Sequence, residues 1–180
     1  MKKYLCVIPL VLLLCFTFAC QDKAAMAELE KHKAQAKVGE QNKDVVKRYW
    51  NGKWNERRPG ILDELQTQNV VYHGTSMEMN GLEEYKKVYG IFASAFQDTQ
   101  LTIESIMADG DKVMTRVKMT GTHKGDFEGI PPKGKILTLS AFTVFRFIDG
   151  KIAEEWEILD ELGMMSQLGM ELKPKETEKK

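Results

Sequence analysis

The segment Ile152-Ala153-Glu154-Glu155-Trp156-Glu157-Ile158-Leu159-Asp160 gathers the side chains best suited to chemistry. Read as a strand without a bulge, it places Ile152, Glu154, Trp156, Ile158 and Asp160 on one face. Ala153, Glu155, Glu157 and Leu159 share the other face. That second set is mostly charged, so it is expected to face water. The first set then faces a cavity, with Trp156 and Asp160 in it or at its rim, and Glu154 beside them. One bulge would exchange the two faces. Asp160 also has the residue type that caps a helix, and Glu161 could begin one.

Other candidates lie on neighbouring segments. His73 ends a short β-branched run next to Gly74, where a cavity histidine could act as acid, base or donor; a half-exposed strand end is the alternative. Arg116 sits mid-strand between Thr115 and Val117. Pointing inward, it would need a carboxylate or an anionic ligand; pointing outward, it is an ordinary solvated residue. His123 lies in a Gly-Thr-His stretch beside a loop, at a rim or in a pocket. Tyr49, Trp50, Phe92 and Phe96 read as core before ligand contacts.

The elements that must hold these groups follow from periodicity. Lys2 and Lys3 precede an apolar run from Leu5 to Ala19, too short for a comfortable span of ~20 residues and read as a leader. Ala19 before Cys20 resembles a bacterial lipoprotein signal, which implies lipidation of Cys20 and an exported, membrane-anchored protein; Thr17 departs from that pattern, and an ordinary secretory signal is the alternative. Residues 1–19 are thus expected to be a signal peptide, 20–42 a charged tether, 43–170 the domain and 171–180 a disordered tail. Removing the leader leaves a slight acidic excess, which excludes a nucleic-acid footprint. Cys6, Cys15 and Cys20 all lie in or at the end of the leader, so the domain has no thiol chemistry and no disulfide. The three histidines, His32, His73 and His123, are widely separated, which predicts no metal site. No glycine-rich phosphate loop precedes a helix.

Within the domain, Val46, Tyr49 and Trp50 share a helix face, Pro59 can start a short helix through Ile61 and Leu65, and Asn69–Thr75 reads as a strand. Leu82, Tyr85, Val88, Tyr89, Phe92 and Phe96 make an i, i+3, i+4 stripe. From Thr99 the period changes to two, predicting four strands in an antiparallel meander, with Asp149-Gly150 as a hairpin turn. Helices followed by strands imply an α+β fold. Residues 136–148 are apolar on both faces, which predicts a homodimer through the sheet.

Gly110-Asp111-Lys112-Val113 with Arg116, Gly121-Thr122-His123, Gly129-Ile130-Pro131-Pro132, Phe145-Arg146-Phe147 and Asp149-Gly150-Lys151-Ile152 with Trp156, Asp160 and Leu162-Gly163 resemble the SnoaL-like polyketide cyclase (ester cyclase) family. The resemblance covers roughly Asp44 to Gly169. It implies the nuclear transport factor 2-like fold, a cone-shaped, strongly curved antiparallel sheet with N-terminal helices closing a pocket. It also implies acid–base catalysis without metal or cofactor on a small hydrophobic carbonyl compound, by aldol-type cyclisation or isomerisation. A carboxylate whose pKa an apolar cavity raises would remove the proton, with donors near the developing oxyanion. Asp160 is then the first candidate for base and His73 its companion, with Arg116, Trp156, Glu154 and His123 as ligand contacts. Many relatives carry His just before the Trp of the last strand; here that position is Glu155. The same cone also hosts binding modules without turnover, and a lipid-anchored ligand-binding module is the competing reading.

Overall fold

The structure is a computed structural model that describes residues 7–58, 60–171 and 173, with side chains from residue 23 onward. The expected leader falls outside it at residues 1–6 and has no described side chains at 7–19, as is true of Cys20. The expected tail is described only at residues 171 and 173.

Helix α1, Val7–Trp50, runs exposed from Lys23 to Val38 and packs against the domain from Gly39 onward. Among the described residues no helix is long and apolar enough to cross a membrane. The last turn of α1 delivers Val46, Tyr49 and Trp50 to the core, as their spacing requires. The helix then widens into a π-helical turn, Asn51–Asn55, before the short helix α2, Ile61–Leu65. Gly52 permits that descent: a Cβ there would stand 2.7 Å from Ile61 Cγ1.

Six strands follow: β1 Gln66–His73, β2 Glu78–Asn80, β3 Gln100–Asp109, β4 Lys112–Thr122, β5 Ile136–Ile148 and β6 Lys151–Leu159. Helix α3, Leu82–Ala95, lies between β2 and β3, and helix α4, Glu161–Gln167, follows β6. The sheet order is β2-β1-β6-β5-β4-β3. The expected meander β3 to β6 is antiparallel throughout. The chain returns β1 to the far side of β6 in a parallel pairing, a long-range contact that no local pattern announces. Register shifts in three ladders bend the sheet around the end of α1 and α3.

One shift reverses an expectation. Arg146 pairs with Glu154 but Phe147 pairs with Ile152, leaving Ala153 as an extra residue in β6. Beyond that bulge Glu155, Glu157 and Leu159 turn inward, while Glu154, Trp156 and Ile158 turn outward. The expected facing of this strand is therefore corrected from residue 154 onward. Hydrogen-bond partners on the inner side, described below, offset part of the cost of burying these carboxyl groups.

The core is built on aromatic packing. Tyr49, Trp50 and Phe145 meet at centroid distances of 5.1 to 5.6 Å, two of the three contacts edge-on. Such pairs contribute about 0.5–1.5 kcal/mol beyond burial. A second cluster, around Phe96, Phe127, Leu137 and Leu168, seats α4 and the loop before β5 against the other end of the sheet.

Candidate functional site

A cavity of about 150 Å³ opens between α3, the inner face of the sheet and α4. Tyr85, Val88, Tyr89 and Phe92 line it from α3; Met119, Leu137, Leu139 and Leu159 line it from the strands. Met77 and Ser76 come from the β1–β2 turn, and Met164 and Met165 from α4. Ser76 Oγ donates to Glu161 Oε1 at 3.0 Å, tying that turn to the start of α4. Ser76 and Glu128 are exposed and mark the opening.

The polar end of this cavity comes from the π-helical turn. Lys53 is only 6% exposed, yet it lines the cavity. A π turn adds a residue to the helical cycle, which is why such turns recur where a side chain must be re-aimed. Lys53 Nζ donates to Tyr85 Oη at 2.6 Å and to Tyr49 Oη at 3.1 Å. Five rings surround it, those of Tyr49, Trp50, Trp54, Tyr85 and Tyr89, at 4.8 to 5.4 Å from their centroids, so cation–π attraction offsets part of its desolvation. Tyr89 Oη donates to the Lys53 carbonyl at 2.6 Å and holds the turn in place.

Behind the lysine stands Glu155, fully buried. Its Oε2 accepts from Tyr49 Oη and from Tyr85 Oη, both at 3.0 Å. The two phenol oxygens are 2.5 Å apart. Lys53, Tyr85, Tyr49 and Glu155 thus form one hydrogen-bonded cluster drawn from the π turn, α3, α1 and β6. Burial pushes the Glu155 carboxyl up to about 7; the Lys53 charge opposes this, and Glu157 adds to it. Burial lowers the Lys53 pKa, against the pull of Glu155 and Glu157. The Tyr49 and Tyr85 hydroxyls are held well above the usual phenol value by burial and then by Glu155. Glu157, two residues on, faces the cavity; its Oε1 accepts from Tyr72 Oη at 3.0 Å and its Oε2 from Thr143 Oγ1 at 3.1 Å.

The residues expected to form the site lie elsewhere. Asp160 is exposed and caps α4, its Oδ1 accepting from Gly163 N at 2.8 Å; of its two sequence readings the structure shows the cap. His73, Glu154 and Trp156 do come together, but on the outer face of the sheet. His73 stacks on Trp156 at 5.2 Å and 14°. Its ring nitrogens lie 3.7 Å from Glu154 and 3.6 Å from Glu78, while Glu154 also pairs with Arg146. Arg116 is outward as well, paired with Glu104 at 2.7 Å, because its neighbours Thr115 and Val117 are the buried ones. His123 is fully buried against Phe96 at 5.4 Å, outside the cavity lining, with neither ring nitrogen hydrogen-bonded among the described residues. Among the described residues no group of three or more His, Cys, Asp or Glu could hold a metal ion.

Sequence reasoning passed over Lys53, Tyr72, Tyr85, Glu155 and Glu157. Two signals were present: Glu155 stands where many relatives carry His, and a lone lysine lies in Trp50-Asn51-Gly52-Lys53-Trp54, flanked by aromatics and a glycine.

A model of the SnoaL-like polyketide cyclase family matches residues 44–168. Aklanonic acid methyl ester cyclase DauD of Streptomyces sp. (strain C5) is 26% identical over 126 residues, 69% of this chain and 77% of that protein. Among solved structures, a SnoaL-like polyketide cyclase candidate from Jannaschia sp. CCS1 superposes with a TM-score of 0.70 at 22% identity, covering 75% of this chain and 96% of that one. IdmH, a polyketide cyclase candidate from Streptomyces antibioticus, gives a TM-score of 0.63 at 28% identity, covering 72% and 99%.

Proposed function

Because the chain belongs to the SnoaL-like polyketide cyclase family, we propose that its cavity performs acid–base chemistry on a small, largely apolar carbonyl compound. The observation that carries this reading is the apolar cavity with Lys53 and Tyr85 at one end and Glu157 on its wall. Lys53, held in place by Tyr85 and Tyr49, is the donor for a carbonyl oxygen that becomes an enolate, and in a water-poor site such a donor counts for several kcal/mol. Glu157 is the carboxylate that removes the proton from the adjacent carbon. The relative named a methyl ester cyclase supports an ester-bearing or keto substrate.

The test is turnover of a panel of β-keto and aryl-keto esters by the full chain, followed by mass spectrometry. Tyr85→Phe and Glu157→Gln are each expected to lower kcat/KM by about 10²-fold or more. Absence of turnover across the panel overturns the reading. A non-catalytic binding module of the same fold then takes its place. Favouring that alternative, both Glu157 oxygens already accept hydrogen bonds, from Tyr72 and Thr143.

The reading extends to an exported domain held at a bacterial membrane by lipid on Cys20. The support is the leader pattern ending in Ala19-Cys20. Cys20→Ala is expected to release the protein from membranes on fractionation; unchanged membrane association would overturn the lipid anchor.

A further inference from the structure

We propose that Lys53 is an amine nucleophile that captures small carbonyl compounds as iminium adducts, with Glu155 taking its proton through Tyr85. This rests on the reading that the cavity admits a carbonyl compound, and goes beyond it by making the contact covalent.

The geometry is a proton wire with two arms. Lys53 Nζ donates to Tyr85 Oη at 2.6 Å, and Tyr85 Oη donates to Glu155 Oε2 at 3.0 Å. Tyr49 makes the second arm, at 3.1 Å from Lys53 and 3.0 Å from Glu155. One proton moving along each link of an arm converts ammonium and carboxylate into amine and carboxylic acid, and leaves the phenol neutral. No proton enters from water. Burial drives both end groups the same way, lowering the lysine and raising the glutamate. Glu155 Oε1 has no hydrogen-bond partner among the described residues, so the carboxylate charge is only partly compensated where it is buried. Lys53 and Tyr85 are the members of the wire that line the cavity, and of the two the lysine amine is the nucleophile that forms an imine with a carbonyl.

The step balances. The amine lone pair attacks the carbonyl carbon, and the oxygen takes the Glu155 proton through Tyr85 while the nitrogen returns one. The resulting hydroxyl then takes that proton again and leaves as water. The products are a Lys53 iminium, an ionised Glu155 and one water, with nothing oxidised or reduced. The ring cage around Lys53 Nζ also presents its π faces to an iminium charge at that nitrogen. A cavity near 150 Å³ is comparable to one that holds benzene, so the ligand class is a ring-sized aldehyde or ketone.

The experiment uses the full chain, benzaldehyde and cyanoborohydride at pH 7, with peptide mapping by mass spectrometry. Lys118 is exposed on the outer side of β4 and serves as the reference amine, and each pKa unit by which Lys53 is lowered is worth about tenfold in free amine. The expected result is benzylation of Lys53 at least about tenfold faster than Lys118. In Glu155→Gln, labelling of Lys53 is expected to slow about tenfold or more while Lys118 is unchanged. Benzyl alcohol, which cannot form an imine, is titrated in parallel against tryptophan fluorescence. If it binds and Lys53 stays unlabelled, the covalent step is overturned and the acid–base reading survives. If neither compound binds, both readings fall. Should Glu155→Gln not fold, the labelling of the wild-type chain alone decides the proposal.

Discussion

Glu155 faces two opposed demands. It is buried beside a second carboxylate, Glu157, and also receives two phenol hydrogen bonds and the field of Lys53. Burial wins, so the folded carboxyl titrates near 7, whereas an unfolded glutamate titrates near ~4.3. Between those values the folded protein binds a proton that the unfolded chain has released. The associated stability is complete below about pH 4 and falls as pH rises through about 7, by at most ~4 kcal/mol. Asp98, held low by Lys124 and Thr122, acts in the opposite sense but in a lower window, losing its contribution as pH falls below about 4. Urea unfolding at pH 4.5 and 7.5 should therefore show the wild type weaker at the higher pH and Glu155→Gln nearly flat. Equal slopes in the two proteins would rule out this assignment. Asp160 belongs at the same scale. Its carboxylate is engaged by Gly163 N, so Asp160→Ala should cost about 1 kcal/mol of stability and leave turnover of any substrate unchanged. A loss of kcat without a loss of stability would return Asp160 to the chemistry. The cap was legible in the sequence, because Asp at a helix start has a local cause. Glu155 was not, since two charged residues in alternation look like a solvated face until Ala153 is known to be extra.

Two irregularities place the site, and both are invisible to periodicity. The bulge at Ala153 turns Glu155 and Glu157 inward, and the π turn at residues 51–55 sends Lys53 to meet them. The regular elements were readable because each is repetitive: the stripe from Leu82 to Phe96 is α3, and the alternation after Thr99 is the meander. A single inserted residue leaves no period to read. Gly52 offers a test of the turn. Its missing Cβ lets Ile61 approach to 2.7 Å of the position a Cβ would take, so Gly52→Ala forces the Ile61 side chain, or α2 with it, to shift. The expected cost is about 1–3 kcal/mol, together with a larger KM for any ligand, because Lys53 follows immediately. Thermal unfolding and ligand titration of the variant check both parts. A Gly52→Ala protein with unchanged Tm and KM would mean that the turn is adaptable.

At the scale of the molecule, the outer face of the sheet is an extended surface that the site does not use. Cross-strand pairing lines up His73, Trp156, Val144, Met114 and Met107 in one row spanning five strands. A second row holds Ile158 beside Phe142. These side chains are far from buried: Ile158 is 70% exposed, Phe142 51% and Trp156 36%. Contiguous apolar patches of that kind mark contact surfaces in soluble proteins, and a two-fold interface buries about 800 Å² per partner. We therefore keep the homodimer through the sheet as a proposal; the support is this patch together with the polar groups that frame it. Arg116 paired with Glu104, and Arg146 with Glu154, supply both charges at its border, the polar rim that an apolar interface centre usually carries. Phe142→Lys places a charge at the middle of the second row, so a dimer built there should lose about tenfold or more in association. Light scattering from low to high micromolar concentration measures this directly. The wild type is expected to be a dimer and Phe142→Lys a monomer with unchanged thermal stability of the isolated fold. A wild type that is monomeric across that range would mean that the exposed rows serve some other contact.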